Sequence, residues 1–104
     1  MERRIKRITE MERCLDASRR AVDDLAAAFE VYEATRKDYK KLSDYYGSTR
    51  WMEDYEADEA GKLPADLKRG VLSEDAVYDL ILDNHDLVVR MMKVITKSLE
   101  DRAL

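Results

Sequence analysis

The sequence predicts an all-α protein: a long antiparallel helical hairpin with a short helix at its corner, completed as a dimeric helical bundle. Three observations lead there. Charged residues make up 40% and apolar residues 45% of the 104 positions, with three Gly and one Pro, a mixture that suits long helices rather than sheets. Two long stretches, one towards each end, carry apolar residues at an alternating spacing of three and four. The helix breakers Gly47, Gly61, Pro64 and Gly70 all lie between those stretches.

The first helix is expected over about residues 2–45. Positions 8, 11, 15, 18, 22, 25, 29, 32, 36 and 39 read Ile8, Met11, Leu15, Ser18, Val22, Leu25, Phe29, Tyr32, Arg36 and Tyr39, a seam with a strict seven-residue repeat. Cys14, Ala21 and Ala28 flank the seam and are small enough for another helix to approach closely. A helix of this length extends about 65 Å, too long for a compact domain to cover throughout. Gly47 is expected to end it in a left-handed conformation.

Ser48 reads as the N-cap of a short helix over about residues 49–60, whose apolar set is Trp51, Met52 and Tyr55 and whose remainder is acidic. Gly61 closes it. Residues 61–72 form the turn, where Leu63-Pro64 breaks the helical path and Ala65 to Arg69 have room for one helical turn. Ser73 reads as a second N-cap, opening a last helix over about residues 74–102. In that helix Asp79, Asp83, Asp86, Arg90, Lys93, Lys97 and Glu100 line one narrow charged stripe. Two apolar rows share the rest, one through Val77, Ile81, Val88, Met91 and Ile95, the other through Tyr78, Leu82, Val89, Met92 and Leu99. A helix lying on one core shows a single apolar stripe, so this one requires neighbours on two sides. One row is expected to meet the first helix. The second, around Val89, Met92 and Leu99, is expected to meet another subunit.

The composition also excludes whole classes of function. A chain of this length is one domain, able to bury roughly two-thirds of its unfolded surface. A net charge of −4 argues against nucleic acid as the main partner, because phosphate binding needs a positive field. The basic cluster Arg3, Arg4, Lys6 and Arg7 lacks stacking aromatics, and no apolar segment follows it as in a secretory leader. No run approaches the ~20 apolar residues needed to span a bilayer. Cys14 is the only cysteine, which rules out an intramolecular disulfide and fits a reducing cytoplasm.

The middle of the chain carries a family resemblance. The runs Tyr46-Gly47-Ser48, Trp51 to Glu59, Gly61-Lys62-Leu63-Pro64 and Leu67 to Asp75 resemble a family of short bacterial proteins known as domain of unknown function 4298. The resemblance implies an all-helical, cytoplasmic, bacterial protein and brings no catalytic residue, cofactor or partner with it.

Candidate chemistry is sparse. Glu53 and Glu56 share one helix face, as do Asp83 and Asp86, and facing carboxylate pairs could hold Mg²⁺ for a hydrolase of nucleotide-like phosphorylated substrates. The simpler reading is a solvated acidic face, since Asp83 and Asp86 already belong to the charged stripe. His85 is the only histidine and has no partner at the spacing of a di-iron motif, so it reads as a half-buried, hydrogen-bonded residue of the second row. Neither a zinc site nor any other cofactor site follows from one His and one Cys. Cys14, without a base in reach, reads as a small core hydrophobe. Asn84 lies on the first apolar row, where a buried amide fixes register or oligomeric state. Trp51, Tyr55 and Tyr46 gather at the corner and, with Val89, Met92 and Leu99, are the candidate partner-binding residues. The reading that follows is a non-enzymatic protein-interaction or structural module that forms a homodimer, with no membrane and no nucleic acid involved.

Overall fold

A computed structural model describes residues 1–101. Among them lie four α-helices, α1 (Glu2–Ala34), α2 (Arg36–Tyr46), α3 (Thr49–Glu59) and α4 (Ala76–Glu100), one 3₁₀ turn (Gly70–Leu72) and no strand. The protein is all-helical, as its composition predicts. The chain divides into two units, Met1–Tyr39 and the residues from Lys40 onwards.

In the first unit, α1 runs for 33 residues without a buried side chain. A single helix has no second element to cover its apolar seam, and Ile8, Met11, Leu15, Val22, Leu25 and Phe29 are all exposed. Its visible support is local: Arg13 with Glu10, Arg19 with Asp23 at 3.0 Å and Arg20 with Asp24 at 3.9 Å, all solvent-exposed pairs that add little in water. The helix expected over residues 2–45 is interrupted at Thr35. The Thr35 hydroxyl donates to the Tyr32 carbonyl at 3.0 Å, and the Arg36 Nε donates to the same oxygen at 3.3 Å. Such side-chain bonds compete with the helical ladder and locally disturb it. The ladder nonetheless resumes at once, with Thr35 N donating to Val31 O at 3.1 Å and Tyr39 N to Thr35 O at 2.9 Å. Arg36, the charged residue in an otherwise apolar or aromatic stretch of seam, has its guanidinium 3.7 Å from the centre of the Tyr32 ring and 4.5 Å from that of Tyr39. The two rings one turn either way accommodate the cation on their faces.

In the second unit, the core consists of Trp51, Leu72 and Val77, at 8%, 6% and 3% exposure. α3 starts where expected, with Ser48 Oγ accepting from Trp51 N at 3.3 Å and donating to Tyr45 O at 2.6 Å. The two glycines flanking α3 behave differently from one another. Gly61 has φ +69° and is the left-handed residue, with Lys62 N bonded to Ala57 O and Gly61 N to Asp58 O, both at 3.0 Å. That pair of bonds is the Schellman closure of a helix C-terminus. Gly47, expected to adopt the left-handed conformation, keeps φ outside that region; its N–H donates to Ser43 O at 3.3 Å and Ser48 N follows to Tyr45 O at 3.0 Å. Residues 65–69 form no helical turn. Leu67 N closes a turn onto Pro64 O at 3.2 Å, and the helical piece forms later, at Gly70–Leu72.

Ser73 Oγ accepts from Ala76 N at 3.1 Å, but α4 begins at Ala76 and its N-cap is Asp75, whose side chain makes no capping bond, so Ser73 stands two residues ahead of the cap expected of it. The helix reaches Glu100, and Arg102, the last residue of the expected span, lies outside the described residues. The first row of α4 is the better covered one: Val77 is buried and Ile81, Asn84, Val88 and Met91 are half-buried, while Ile95 is exposed. Tyr78, Leu82, Val89, Met92 and Leu99 of the second row are all exposed.

Candidate interaction surface

The aromatic corner is built from the end of α2, α3, the 3₁₀ turn and the residues that lead into α4. The Trp51 indole stacks on Tyr55 (centroids 5.2 Å apart, planes 16° apart) and takes Tyr46 edge-on at 5.2 Å and 69°. Its Nε1 donates to Val71 O at 2.9 Å, which ties α3 to the 3₁₀ turn. Tyr46 and Tyr55 then reach the start of α4, donating to Glu74 O at 3.1 Å and to Glu74 Oε1 at 2.9 Å. Each aromatic residue thus contributes both apolar area and a polar tip that finds a partner at the rim. Trp51 is buried inside this knot, and Tyr46 and Tyr55 are half-exposed at its edge.

Electrostatics reinforce the corner. Tyr45 donates to Asp54 Oδ2 at 2.5 Å, and that bond, aided by burial and the carboxylate's charge, pushes the phenol up to about 12. Tyr55 is likewise raised, first by its bond to Glu74 and then by the charges of Glu59, Glu74 and Asp58. Arg69 holds the turn over residues 61–72 by pairing with Asp58 Oδ1 at 2.5 Å and donating to Pro64 O at 2.6 Å. This pair is largely shielded from solvent on both sides, unlike the ion pairs of α1. The sequence pattern does not single out Arg69, Asp58 or Glu74 as residues of the corner. Nothing local marks them, because the bonds of Arg69 to Asp58 and of Tyr55 to Glu74 span eleven and nineteen positions.

Towards the end of α4, Val89, Met92 and Thr96 line a shallow open groove of about 570 Å³, with Lys93, Lys97, Glu100 and Asp101 at its edges. Two of the three expected partner-binding residues of this helix, Val89 and Met92, line it; Leu99 is exposed nearby in sequence. Asn84 is half-buried.

Glu53, Glu56, Asp83 and Asp86 are all exposed, and among the described residues no group of three or more His, Cys, Asp or Glu side chains could hold a metal ion. His85, expected to be half-buried, is exposed. Cys14 is half-exposed rather than buried, with its thiol 3.9 Å from Glu10 Oε1 and Arg13 Nη2 3.7 Å from its sulfur. Beside Cys14, Glu10 is held below the usual carboxylate range by its bond to Arg13. Among the described residues no helix is long and apolar enough to cross a membrane.

The stretch from the first seam residue to Val94, in the last third of α4, matches a known family, described as "Domain of unknown function (DUF4298)", over residues 8–94. The chain belongs to the DUF4298 family. That span takes in the whole aromatic corner and most of α1 and α4, so the DUF4298 match covers every element with a helical seam. No curated protein and no solved structure matches the chain.

Proposed function

We propose that this DUF4298 protein is a non-enzymatic interaction module of the bacterial cytoplasm that associates with itself through the apolar faces of its long helices, forming a homodimeric helical bundle. The observation that carries this reading is the exposure of large side chains in long rows. Leu25 is 66% exposed and Phe29 50%, and Met92, Val94, Ile95 and Leu99 on α4 each leave more than half of their surface free. Contiguous apolar surface on this scale marks a contact face. Within the second unit, the half-exposed Tyr46 and Tyr55 of the aromatic corner are the candidate contacts for a further protein. A reduced Cys14 fits this setting.

Sedimentation equilibrium over a wide concentration range tests the reading. A mass of twice the chain, falling to the monomer only on strong dilution, is the expected result. A monomer at every concentration, with Trp51 fluorescence showing the corner folded, overturns it.

A further inference from the structure

We propose that α1 pairs antiparallel with α1 of a second copy of this chain, in the register that sets Leu15 against the partner's Leu25. The inference rests on the self-association proposed above and names the face, the orientation and the register.

Four observations carry it. The first is the period. The seam from Ile8 to Tyr32 repeats strictly every seven residues, the signature of a helix supercoiled against a partner helix, whereas a straight helix lying on a core drifts towards a 3.6-residue period. The second is area. Ile8, Met11, Leu15, Val22, Leu25 and Phe29 each keep at least half of their surface free. At roughly 100 Å² apiece, from the transfer energies of such side chains, they supply most of the ~800 Å² per partner that a stable association buries.

The third is shape. About a two-fold axis at Arg20 the seam maps onto itself: Ile8 meets Tyr32, Met11 meets Phe29, Leu15 meets Leu25 and Ser18 meets Val22. On one flank the same axis brings Cys14 near Ala28 and Ala21 near its own copy, each offset by two residues or about 3 Å along the helix, so small side chains lie beside small ones and the backbones can approach closely.

The fourth is charge, and it decides the orientation. Residues 2–20 of α1 hold seven bases and four acids, a net of +3, while residues 21–34 hold four acids and no base, a net of −4. This order opposes the helix macrodipole: bases Arg3 and Arg4 stand in the first turn, and no base stands in the last. The helix dipole therefore does not account for it. An antiparallel copy lays the positive half of one helix along the negative half of the other. A parallel copy would align like with like. An antiparallel α4 would do the same, because its acids Asp79, Asp83 and Asp86 precede its bases Arg90, Lys93 and Lys97.

Disulfide trapping tests the proposal. In a Cys14→Ser background, Leu15→Cys and Leu25→Cys chains are oxidised separately and as a mixture, and each sample is also sedimented under reducing conditions. The expected result is a disulfide-linked dimer in the mixture and none in either variant alone. In this register the two copies of residue 15 lie ten residues apart, about 15 Å along the axis, beyond the ~7 Å that a disulfide can span. Ser18→Cys with Val22→Cys repeats the test in the next layer with less loss of apolar area, and Trp51 fluorescence reports that the corner stays folded. Linkage within each single variant would mean a parallel pair and overturn the proposal. No linkage in a sample that sediments as a dimer would move the contact to another face and also overturn it, leaving self-association intact. A monomeric wild-type chain would overturn both.

Discussion

Helix α1 and the aromatic corner are built from the same kinds of residue with opposite outcomes. α1 repeats Ile, Met, Leu, Val and Phe along a seam of about seven turns and buries none of them. The corner uses one Trp, one Leu and one Val and buries all three to below a tenth of their surface. The difference is non-local bonding. Trp51 is fixed by a donor bond to Val71 and by two tyrosines that reach Glu74, so three chain segments converge on one indole. In α1 the ion pairs and side-chain bonds stay within four residues, and a helix supported only locally is marginal in water. An apolar pattern makes a core only when a second surface arrives to meet it.

The sharpest way to break the comparison is Trp51→Ala. Removing the indole from its stack should cost about 3–5 kcal/mol and unfold the corner, read as a loss of cooperativity in chemical denaturation. The double change Leu15→Ala and Leu25→Ala in α1 should leave the corner's own unfolding almost untouched and shift the monomer–dimer equilibrium strongly towards monomer, read by sedimentation. Arg69→Met should lower corner stability by about 1.5–3 kcal/mol, because it leaves the shielded Asp58 carboxylate without its charged partner and the Pro64 carbonyl without its donor. Arg13→Met in α1, whose ion pair is exposed, should change thermal stability within error.

Two smaller effects refine the contrast. Gly61→Ala should cost about 1 kcal/mol, since no atom lies within 4 Å of the added methyl and the penalty is conformational alone. Gly47→Ala should be neutral or slightly stabilising, because that residue avoids positive φ and a Cβ there meets only Ser43 O at 3.9 Å. The corner should also loosen in alkali. Tyr45 is raised from 10.0 to about 12, so the folded state favours the neutral phenol. Its contribution is complete below pH 10, the unfolded value, and is lost as pH rises through about 12. Denaturation curves for Tyr45→Phe should have a shallower pH dependence over that window than those of the parent.

Much of the fold was legible in the sequence because its signals are local. Ser48 caps α3 and Ser73 bonds the first N–H of α4 through contacts three residues long, and heptad spacing marks α1 from Ile8 to Tyr32. The interruption at Thr35 departs from the continuous helix that the spacing predicts, although its cause is also local: a hydroxyl that bonds back one turn, next to an arginine spaced to lie over Tyr32 and Tyr39. The choice between Gly47 and Gly61 for the left-handed position was not legible, because both follow a helix and only backbone geometry separates them. The candidate site divides in the same way. Val89 and Met92 could be placed on an apolar row by counting, and they line the α4 groove. The roles of Arg69, Asp58 and Glu74 depend on partners distant in the chain, which no spacing rule reports.

By itself, then, the sequence determined the all-helical class, the Ser48 cap and the heptad seam of α1, since each follows from interactions within a turn or two of helix. Only the tertiary structure decided which apolar residues are core. Trp51, Leu72 and Val77 became buried because the chain folds back on them. The α1 seam remains free surface, because hydrophobic burial is a property of two surfaces and one helix supplies only one.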